Sequence, residues 1–202
     1  YVQIEKKNME IIVHRINKVK ELLKLDHQYG AEVDLRSFGS KIILNHDPYL
    51  NGDNFQDYIE NYKHGTLVAN IKESGIENEV IEIIKKNKNI KNFFLLDVEI
   101  PYLFECLKKD KKYCAIRVSY YEPLTQQIKF KSIFNWFWID SIKKLNFTSK
   151  DINILNKNKV CFVCPERWSN PKLIKYYKKF FKKNKIEVNS VMTSYKYIND
   201  WI

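Results

Sequence analysis

The sequence contains no run of about 18 consecutive apolar residues, the length that a helix needs to cross a bilayer. Its first ten residues are too charged for the apolar segment of a secretory signal. The chain has only four cysteines in 202 residues, which do not make a disulfide framework in a chain of this size. These absences predict a protein of the reducing cytoplasm without a transmembrane segment.

Apolar residues and lysines are abundant. Hydrophobic residues make up 45% of the chain, which is enough to bury one good core, and we expect a single domain over residues 1–202 without a linker. The net charge of +11 is typical of proteins that bind nucleic acid or anionic membranes. However, the densest basic run, residues 171–185, has its apolar residues at helical spacing and its lysines largely on the other face. We interpret it as a solvated helix face and expect no nucleic-acid partner.

Apolar segments of strand length alternate with helical patterns along the chain. Eight segments are predicted as strands: residues 11–15, 32–37, 66–72, 92–98, 114–119, 135–142, 160–165 and 188–193. Between the second and third segments, Gly39 and Ser40 favour a turn into residues 42–46, and hence a β-hairpin. Eight strands separated mostly by helices predict a parallel sheet closed into a small (β/α)8 TIM barrel, with a β-hairpin extension after strand 2.

Polar residues follow the predicted strands at their carboxyl ends, which form the mouth of such a barrel, where active sites are built. They are His14, Glu32, Asp34, Asn70, Lys72, Asp97, Glu99, Arg117, Ser119, Trp138, Asp140 and Glu166. Capping of the next helix is an equal alternative for Glu99, Ser119 and Glu166. Glu32 and Asp34 are two residues apart and therefore point to the same side of their strand. Because the hairpin returns His46 beside them, the cluster predicts a metal and acid–base site.

Two further strand residues are candidates for substrate binding. Arg117 lies in an apolar strand, where burial without an anion or carboxylate is costly, so we expect it to face the substrate or an acid of the metal site. Trp138 is expected to stack on a sugar or glycerol moiety, and Trp136 on the same strand face is expected in the core. Cys161 and Cys164 have redox or zinc spacing, but a separation of three residues in a strand points them to opposite faces. We interpret them as buried strand residues.

A family resemblance is carried by four ordered segments: His14-Arg15, Gly30-Ala31-Glu32-Val33-Asp34, His46-Asp47-Pro48 and Asn70-Ile71-Lys72. They resemble the signature of the glycerophosphodiester phosphodiesterases, relatives of phosphatidylinositol-specific phospholipase C. Residues 191–195 also resemble the closing strand of that family. The resemblance implies a barrel, a divalent metal held by carboxylates, and hydrolysis of a phosphodiester by two histidines.

By this resemblance, His14 and His46 would be the general acid and base of the reaction. The near-neutral intrinsic pKa of imidazole suits both tasks. Arg15 would grip the phosphate with its planar guanidinium, and Lys72 would contact the phosphate as well.

The resemblance also implies that Glu32 and Asp34 bind Mg²⁺ or Ca²⁺, hard cations that prefer oxygen ligands and would neutralise the phosphate oxygens. Where the family has a third carboxylate, this chain has Asn70, whose amide oxygen can coordinate a metal but carries no charge. The metal affinity should therefore be lower unless Asp97 contributes. Ile16 replaces the usual glycine after His-Arg, the Pro-Glu-Asn-Thr segment is absent, and the insertion after the third strand is missing. These departures predict an open mouth.

We therefore expect a metal-assisted hydrolase of a glycerophosphodiester or a similar polyol or sugar phosphodiester. Two alternatives remain open. The first is a metal-independent lyase of the phospholipase C type, in which Lys72 or Arg117 replaces the metal and a hydroxyl of the substrate attacks to give a cyclic phosphate. The second is a barrel without catalytic activity that binds phosphorylated glycans or nucleic acid through its basic surface.

Overall fold

The computed structural model of the protein describes residues 9–109, 112–130 and 134–202. Its strands are β1 (Glu10–Val13), β2 (Gly30–Phe38), β3 (Lys41–Leu44), β4 (Asp53–Asn54), β5 (Leu67–Ile71), β6 (Phe93–Leu96), β7 (Cys114–Val118), β8 (Phe134–Ile139), β9 (Lys159–Val163) and β10 (Ser190–Thr193). Its helices are α1 (Val19–Leu22), α2 (Phe55–Glu60), α3 (Glu77–Lys86), α4 (Ile100–Lys108), α5 (Leu124–Gln127), α6 (Ser149–Leu155) and α7 (Leu173–Asn184). Short 3-10 helices cover Ile128–Phe130, Pro165–Trp168 and Tyr195–Asp200.

Eight parallel strands close into a barrel in the order β1, β2, β5, β6, β7, β8, β9 and β10. The closing pairs are β10 with β1, where Glu10 faces Ser190, and β1 with β2, where Ile12 faces Gly30. Helices lie between most consecutive strands. The predicted (β/α)8 barrel is therefore confirmed.

The hairpin extension after the second strand is also confirmed. Strand β3 pairs antiparallel with β2, and β4 pairs antiparallel with β3, so both strands lie outside the closed barrel. Strand β2 can carry this extension because it is nine residues long, whereas the other barrel strands have four to six residues.

The core has two parts, separated by the wall of the barrel. Alternate residues of each strand point to opposite faces, so Ala31, Val33 and Leu35 of β2 pack outward against the helices. Glu32 and Asp34 consequently point into the barrel, where both are buried. The apolar filling of the interior is a separate buried cluster: Ile12, Val68, Phe94, Leu96, Ala115, Trp136, Trp138, Cys161, Val163 and Met192.

The alternating pattern also separates the two cysteines of the Cys-x-x-Cys segment. Cys161 lies in the interior cluster and Cys164 in the outer core, and both are buried free thiols. Trp136 belongs to the interior core, as expected. The interpretation of Cys161 and Cys164 as buried residues on opposite sides is therefore confirmed.

Of the three residues for which helix capping was an equal alternative, Ser119 and Glu166 bond to other loop groups instead. The Ser119 hydroxyl donates to a carboxylate oxygen of Glu122 at 2.8 Å, within the turn that follows β7. Glu166 accepts from the backbone N–H of Ser194 at 2.8 Å and thereby ties together the loops after β9 and β10. Glu99 precedes α4 without a capping hydrogen bond from its side chain.

Across residues 9–109, 112–130 and 134–202, no helix is long and apolar enough to cross a membrane.

Candidate active site

A cavity of about 270 Å³ opens at the carboxyl ends of the barrel strands. We call it the mouth cavity. Eight of the nine predicted site residues line it: His14, Arg15, Glu32, Asp34, Asn70, Lys72, Arg117 and Trp138. The ninth, His46, does not. Because the eight come from β1, β2, β5, β7, β8 and the loops that follow them, closure of the barrel is what brings them together.

The carboxylates of Glu32 and Asp34 and the amide of Asn70 lie together at the bottom of the mouth cavity. The side chain of Asn70 donates from Nδ2 to Glu32 Oε1 at 2.9 Å, and Asn70 is the register partner of Asp34 on the neighbouring strand. Burial and the charge of Asp34 raise the pKa of Glu32 to about 7. The Asn70 Oδ1 atom is buried without a hydrogen-bond partner. This unsatisfied acceptor therefore lies beside two carboxylates that repel each other.

Two cations, Arg15 and Lys72, lie beside Asp34. The Arg15 backbone N–H donates to Glu32 Oε2 at 2.9 Å, and Arg15 Nε is 3.5 Å from Asp34 Oδ2. This arrangement places Arg15 in the left-handed region at φ 56°, which costs a non-glycine residue about 1 kcal/mol. Lys72 Nζ is 3.4 Å from Asp34 Oδ1 and 3.6 Å from Asp97 Oδ2. Both cations are thus held by carboxylates at positions from which they can contact a bound phosphate.

His14 stands at the end of β1, and its backbone N–H donates to the carbonyl of Thr193 at 2.9 Å. Its Nε2 atom is 3.9 Å from Glu32 Oε2, and its side chain is 12% exposed. Burial lowers the pKa of His14 to about 3, with further lowering by the charges of Arg167, Arg15 and Lys72. The imidazole is therefore neutral near pH 7. A bound anion would offset these positive charges and raise the pKa of His14 again.

His46 lies outside the mouth cavity, on the loop between β3 and β4. Its side chain is 42% exposed, its Nδ1 atom is 2.8 Å from Asp47 Oδ1, and its carbonyl accepts from Arg36 Nε at 3.1 Å. Its charge nevertheless contributes to the lowered pKa of His14. The structure does not bring the two histidines to one cavity wall, and the catalytic role of His46 stays a prediction.

Arg117 faces acids, as its position in an apolar strand predicts. Its two terminal nitrogens contact Asp97 and Asp140. The indole Nε1 of Trp168 also donates to Asp140, at 2.6 Å. Burial raises the pKa of Asp140, while the charge of Arg117 and the bond from Trp168 oppose this rise. With two carboxylates on its guanidinium, Arg117 orders one side of the mouth cavity.

The wall opposite the carboxylates is aromatic. Trp138 lines the mouth cavity, and its indole Nε1 is buried without a hydrogen-bond partner. Trp168 and Arg167 also line it, although the sequence pattern did not single them out. Both follow Pro165 in the loop after β9, where the alternation of side chains along a strand no longer applies. The rule that barrel sites use loops at the strand ends could have found them.

The oxygen atoms of Glu32, Asp34 and Asn70 have the chemistry that Mg²⁺ and Ca²⁺ require. A divalent cation would relieve the repulsion between the two carboxylates and give the unpartnered Asn70 Oδ1 a ligand role. It would also displace Lys72 or Arg15 from Asp34, because both oxygens of that carboxylate have a cation nearby. The described residues contain no cluster of three His, Cys, Asp or Glu side chains able to hold a metal. Beside Glu32 and Asp34, the third ligand of a metal would therefore be the amide oxygen of Asn70.

Comparisons with known proteins identify one similar fold. No family model matches the sequence, and no curated protein matches it. A solved structure from Agrobacterium tumefaciens strain C58, provisionally named a glycerophosphoryl diester phosphodiesterase, aligns with a TM-score of 0.60. The alignment covers 92% of this chain and 93% of that chain at 12% sequence identity. At this identity the likeness supports the barrel fold.

Proposed function

We propose that the protein is a phosphodiesterase that hydrolyses a glycerophosphodiester or a similar polyol or sugar phosphodiester. The observation that carries the proposal is the mouth cavity, where the neutral imidazole of His14 lies beside the cations Arg15 and Lys72. A cavity of about 270 Å³ suits a phosphate with a small substituent. The solved structure of similar fold carries a provisional name of the same reaction class.

In this proposal the phosphate is held by charge. Arg15 and Lys72 bind its non-bridging oxygens, and Arg167 adds a third positive charge on the same cavity. His14 accepts the proton of the attacking water, because its neutral nitrogen is available and its pKa rises when the phosphate offsets nearby cations. His46 donates the proton to the leaving oxygen from the hairpin loop. The aromatic wall of Trp138 packs against the alcohol part of the substrate.

Glu32, Asp34 and Asn70 would hold the divalent cation, Mg²⁺ or Ca²⁺. When bound there, the cation supplies Lewis-acid stabilisation of the charge on the phosphate oxygens. In the absence of the cation, Asp34 positions both Arg15 and Lys72 for the phosphate. With the cation bound, one of the two would leave Asp34.

The test is hydrolysis of a panel of phosphodiesters, measured with and without EDTA, for the wild type and for His14→Ala and His46→Ala. We expect each substitution to lower kcat by about 10²–10⁴-fold, with the circular dichroism spectrum unchanged. EDTA is expected to suppress the wild-type rate. Full activity of His14→Ala would contradict the assignment of the base, and full activity of His46→Ala would contradict that of the acid.

A metal-independent lyase is the second candidate, and the position of Lys72 favours it. Its ammonium lies 3.4 Å from Asp34, where it can supply positive charge to the phosphate without a metal. In the lyase, His14 would accept a proton from a substrate hydroxyl as that oxygen attacks the phosphorus. The bond from phosphorus to the leaving oxygen would break, and His46 would protonate that oxygen so that the alcohol leaves. A cyclic phosphate detected by phosphorus NMR, together with a rate insensitive to EDTA, would favour this candidate. Binding of phosphorylated glycans without turnover would indicate the barrel without catalytic activity.

We also infer a reducing compartment such as the cytoplasm. The support is the cysteine usage, since Cys106, Cys114, Cys161 and Cys164 are all buried and none of them forms a disulfide. Thiol titration of the purified protein under denaturing conditions should give four reactive groups.

A further inference from the structure

Exposed apolar side chains gather on one side of the barrel mouth. Three neighbouring strands, β7, β8 and β9, are each followed by a loop that carries at least one of them. We call the four residues of these loops the apolar rim: Tyr120 (60% exposed), Tyr121 (61%), Ile142 (38%) and Trp168 (42%). With Tyr195 after β10, four of the five exposed tyrosine and tryptophan side chains among the described residues follow barrel strands. Aromatic rings therefore meet solvent mainly at the mouth.

The apolar rim adjoins the mouth cavity. Trp168 lines that cavity and is also part of the rim. Its indole Nε1 donates to Asp140 at 2.6 Å, and Asp140 in turn pairs with Arg117, which holds the ring at the entrance. Ile142 lies two residues beyond Asp140 on the neighbouring loop. A surface that covers the rim would consequently lie against the entrance to the proposed phosphate site.

The exposed charge of the same loops is positive. In residues 119–123, 140–148 and 164–172, the exposed charged side chains are all lysines: Lys143, Lys144 and Lys172. The acids of these loops are buried or half-buried and bond to the protein itself: Glu122 to Ser119, Asp140 to Arg117 and Trp168, and Glu166 to Ser194. The outer face of the rim is therefore complementary to an anionic surface.

The geometry of the rings favours a lipid surface over a sugar. The rings of Tyr120 and Tyr121 are T-shaped, with centroids 5.2 Å apart, and Lys143 Nζ lies over both, at 4.6 and 4.8 Å. A sugar stacks on an open ring face, and one ammonium already covers a face of each ring. Tyrosine, tryptophan and lysine are the residues that suit the headgroup region of a bilayer, because each combines apolar surface with a group that stays hydrated.

We propose that the apolar rim docks the mouth on an anionic bilayer, and that the phosphodiester which is hydrolysed belongs to the headgroup of a lipid in that bilayer. The second part rests on the proposed phosphodiesterase function. A cavity of about 270 Å³ has room for a phosphate with a small substituent, so the acyl chains stay in the bilayer while the headgroup enters.

The chemistry of the lipid substrate is the hydrolysis proposed above. The oxygen of water bonds to phosphorus, and His14 takes the proton of that water. The bond from phosphorus to one alcohol oxygen breaks, and that oxygen leaves with a proton from His46. The products are a phosphomonoester and an alcohol.

The first test measures binding to vesicles by co-sedimentation. The vesicles contain phosphatidylcholine alone or phosphatidylcholine with about 30 mol% phosphatidylserine. The variant Tyr120→Ser/Tyr121→Ser removes two rings from the rim, and the control Phe104→Ser/Leu107→Ser removes two exposed apolar side chains from α4. We expect the rim variant to weaken binding to the anionic vesicles by about tenfold and the control to weaken it by less than about twofold.

The second test measures turnover by the same proteins. On a glycerophosphodiester without acyl chains, the rim variant should keep the wild-type rate, because Tyr120 and Tyr121 do not line the mouth cavity. On a phospholipid in anionic vesicles, its rate should fall by about tenfold, in parallel with binding. Lys143→Gln/Lys144→Gln should weaken binding to anionic vesicles and leave binding to neutral vesicles unchanged.

Equal losses of binding in the rim variant and the control would overturn the docking surface, and equal binding of neutral and anionic vesicles would overturn the role of charge. Turnover of the diester without acyl chains, combined with no vesicle binding, would overturn the lipid substrate and leave the hydrolase standing. Vesicle binding through the rim with no turnover of any diester would overturn the hydrolase and the lipid substrate and support the docking surface. A phosphorylated polysaccharide that binds through Tyr120 and Tyr121, while vesicles do not, would replace the lipid by a glycan.

Discussion

The two ends of the barrel use similar residues in different ways. Both ends hold cations beside a tryptophan of β8, Trp138 at the mouth and Trp136 at the floor. The floor is the cavity at the amino ends of the strands that is lined by Lys91, Lys109, Lys112 and Lys159. At the mouth, Lys72 and Arg117 each contact two carboxylates, whereas the described lining of the floor contains no carboxylate. Ion pairs restrict where a side chain can point, which favours the alignment of reacting groups. The charges of the mouth are therefore held more firmly than those of the floor, where the pair between Lys109 and Glu105 is exposed.

The largest effect that the comparison predicts concerns the buried acid of the mouth. In the folded state the pKa of Glu32 is raised from 4.5 to about 7, so between these pH values the folded protein retains a proton that the unfolded chain has released. Stability from this group is complete below pH 4.5 and is lost as the pH rises through about 7. Relative to Glu32→Gln, the wild type should lose about 3 kcal/mol of unfolding free energy across that window.

Urea denaturation at several pH values, in EDTA, measures this loss. The titration of His14 is present in both proteins and largely cancels in the difference. Glu79→Gln, which changes an exposed acid on α3, is the matched control and should follow the wild-type profile. Parallel pH profiles of the wild type and Glu32→Gln would contradict a raised pKa of Glu32 in the folded protein.

A mouth lysine should matter for turnover far more than a lysine away from both cavities. Lys72→Gln removes a charge from the proposed phosphate site and leaves Asp34 with one cation fewer, so kcat/KM should fall by about 10²-fold. Lys175→Gln removes the same charge from α7 and should change kcat/KM by less than about twofold. Initial rates on the best substrate of the panel give both values. A Lys72→Gln variant with wild-type kcat/KM would remove this lysine from the phosphate site.

The ion pairs at the two ends should also differ in their contribution to stability. Arg117→Gln leaves the buried carboxylate of Asp140 without its cation and should cost about 2 kcal/mol. Lys109→Gln breaks the exposed pair with Glu105 near the floor and should cost less than about 0.5 kcal/mol. Thermal or urea unfolding measures both. Recovery of stability in Arg117→Gln/Asp140→Asn would assign the loss to the unpaired acid, and equal costs of the two single variants would contradict the contrast.

The fold and much of the mouth follow from patterns visible in the sequence. Alternation along β2 places Glu32 and Asp34 inside the barrel. Parallel pairing puts Asn70 of β5, and Lys72 just after that strand, beside them. Loop residues were harder to predict, because no period constrains them. His46 was predicted in the site but lies outside the mouth cavity. Arg167 and Trp168 line the cavity but were not predicted.

The sequence by itself determined which residues face the interior, because side chains alternate along a strand and a buried face must be apolar or paired. Only the tertiary structure decided which charges meet. The two carboxylates on Arg117 come from different strand ends, and the four floor lysines are separated by up to 68 positions in the sequence. Contacts of this kind depend on the closure of the barrel and on loop conformations, which have no signature in local sequence.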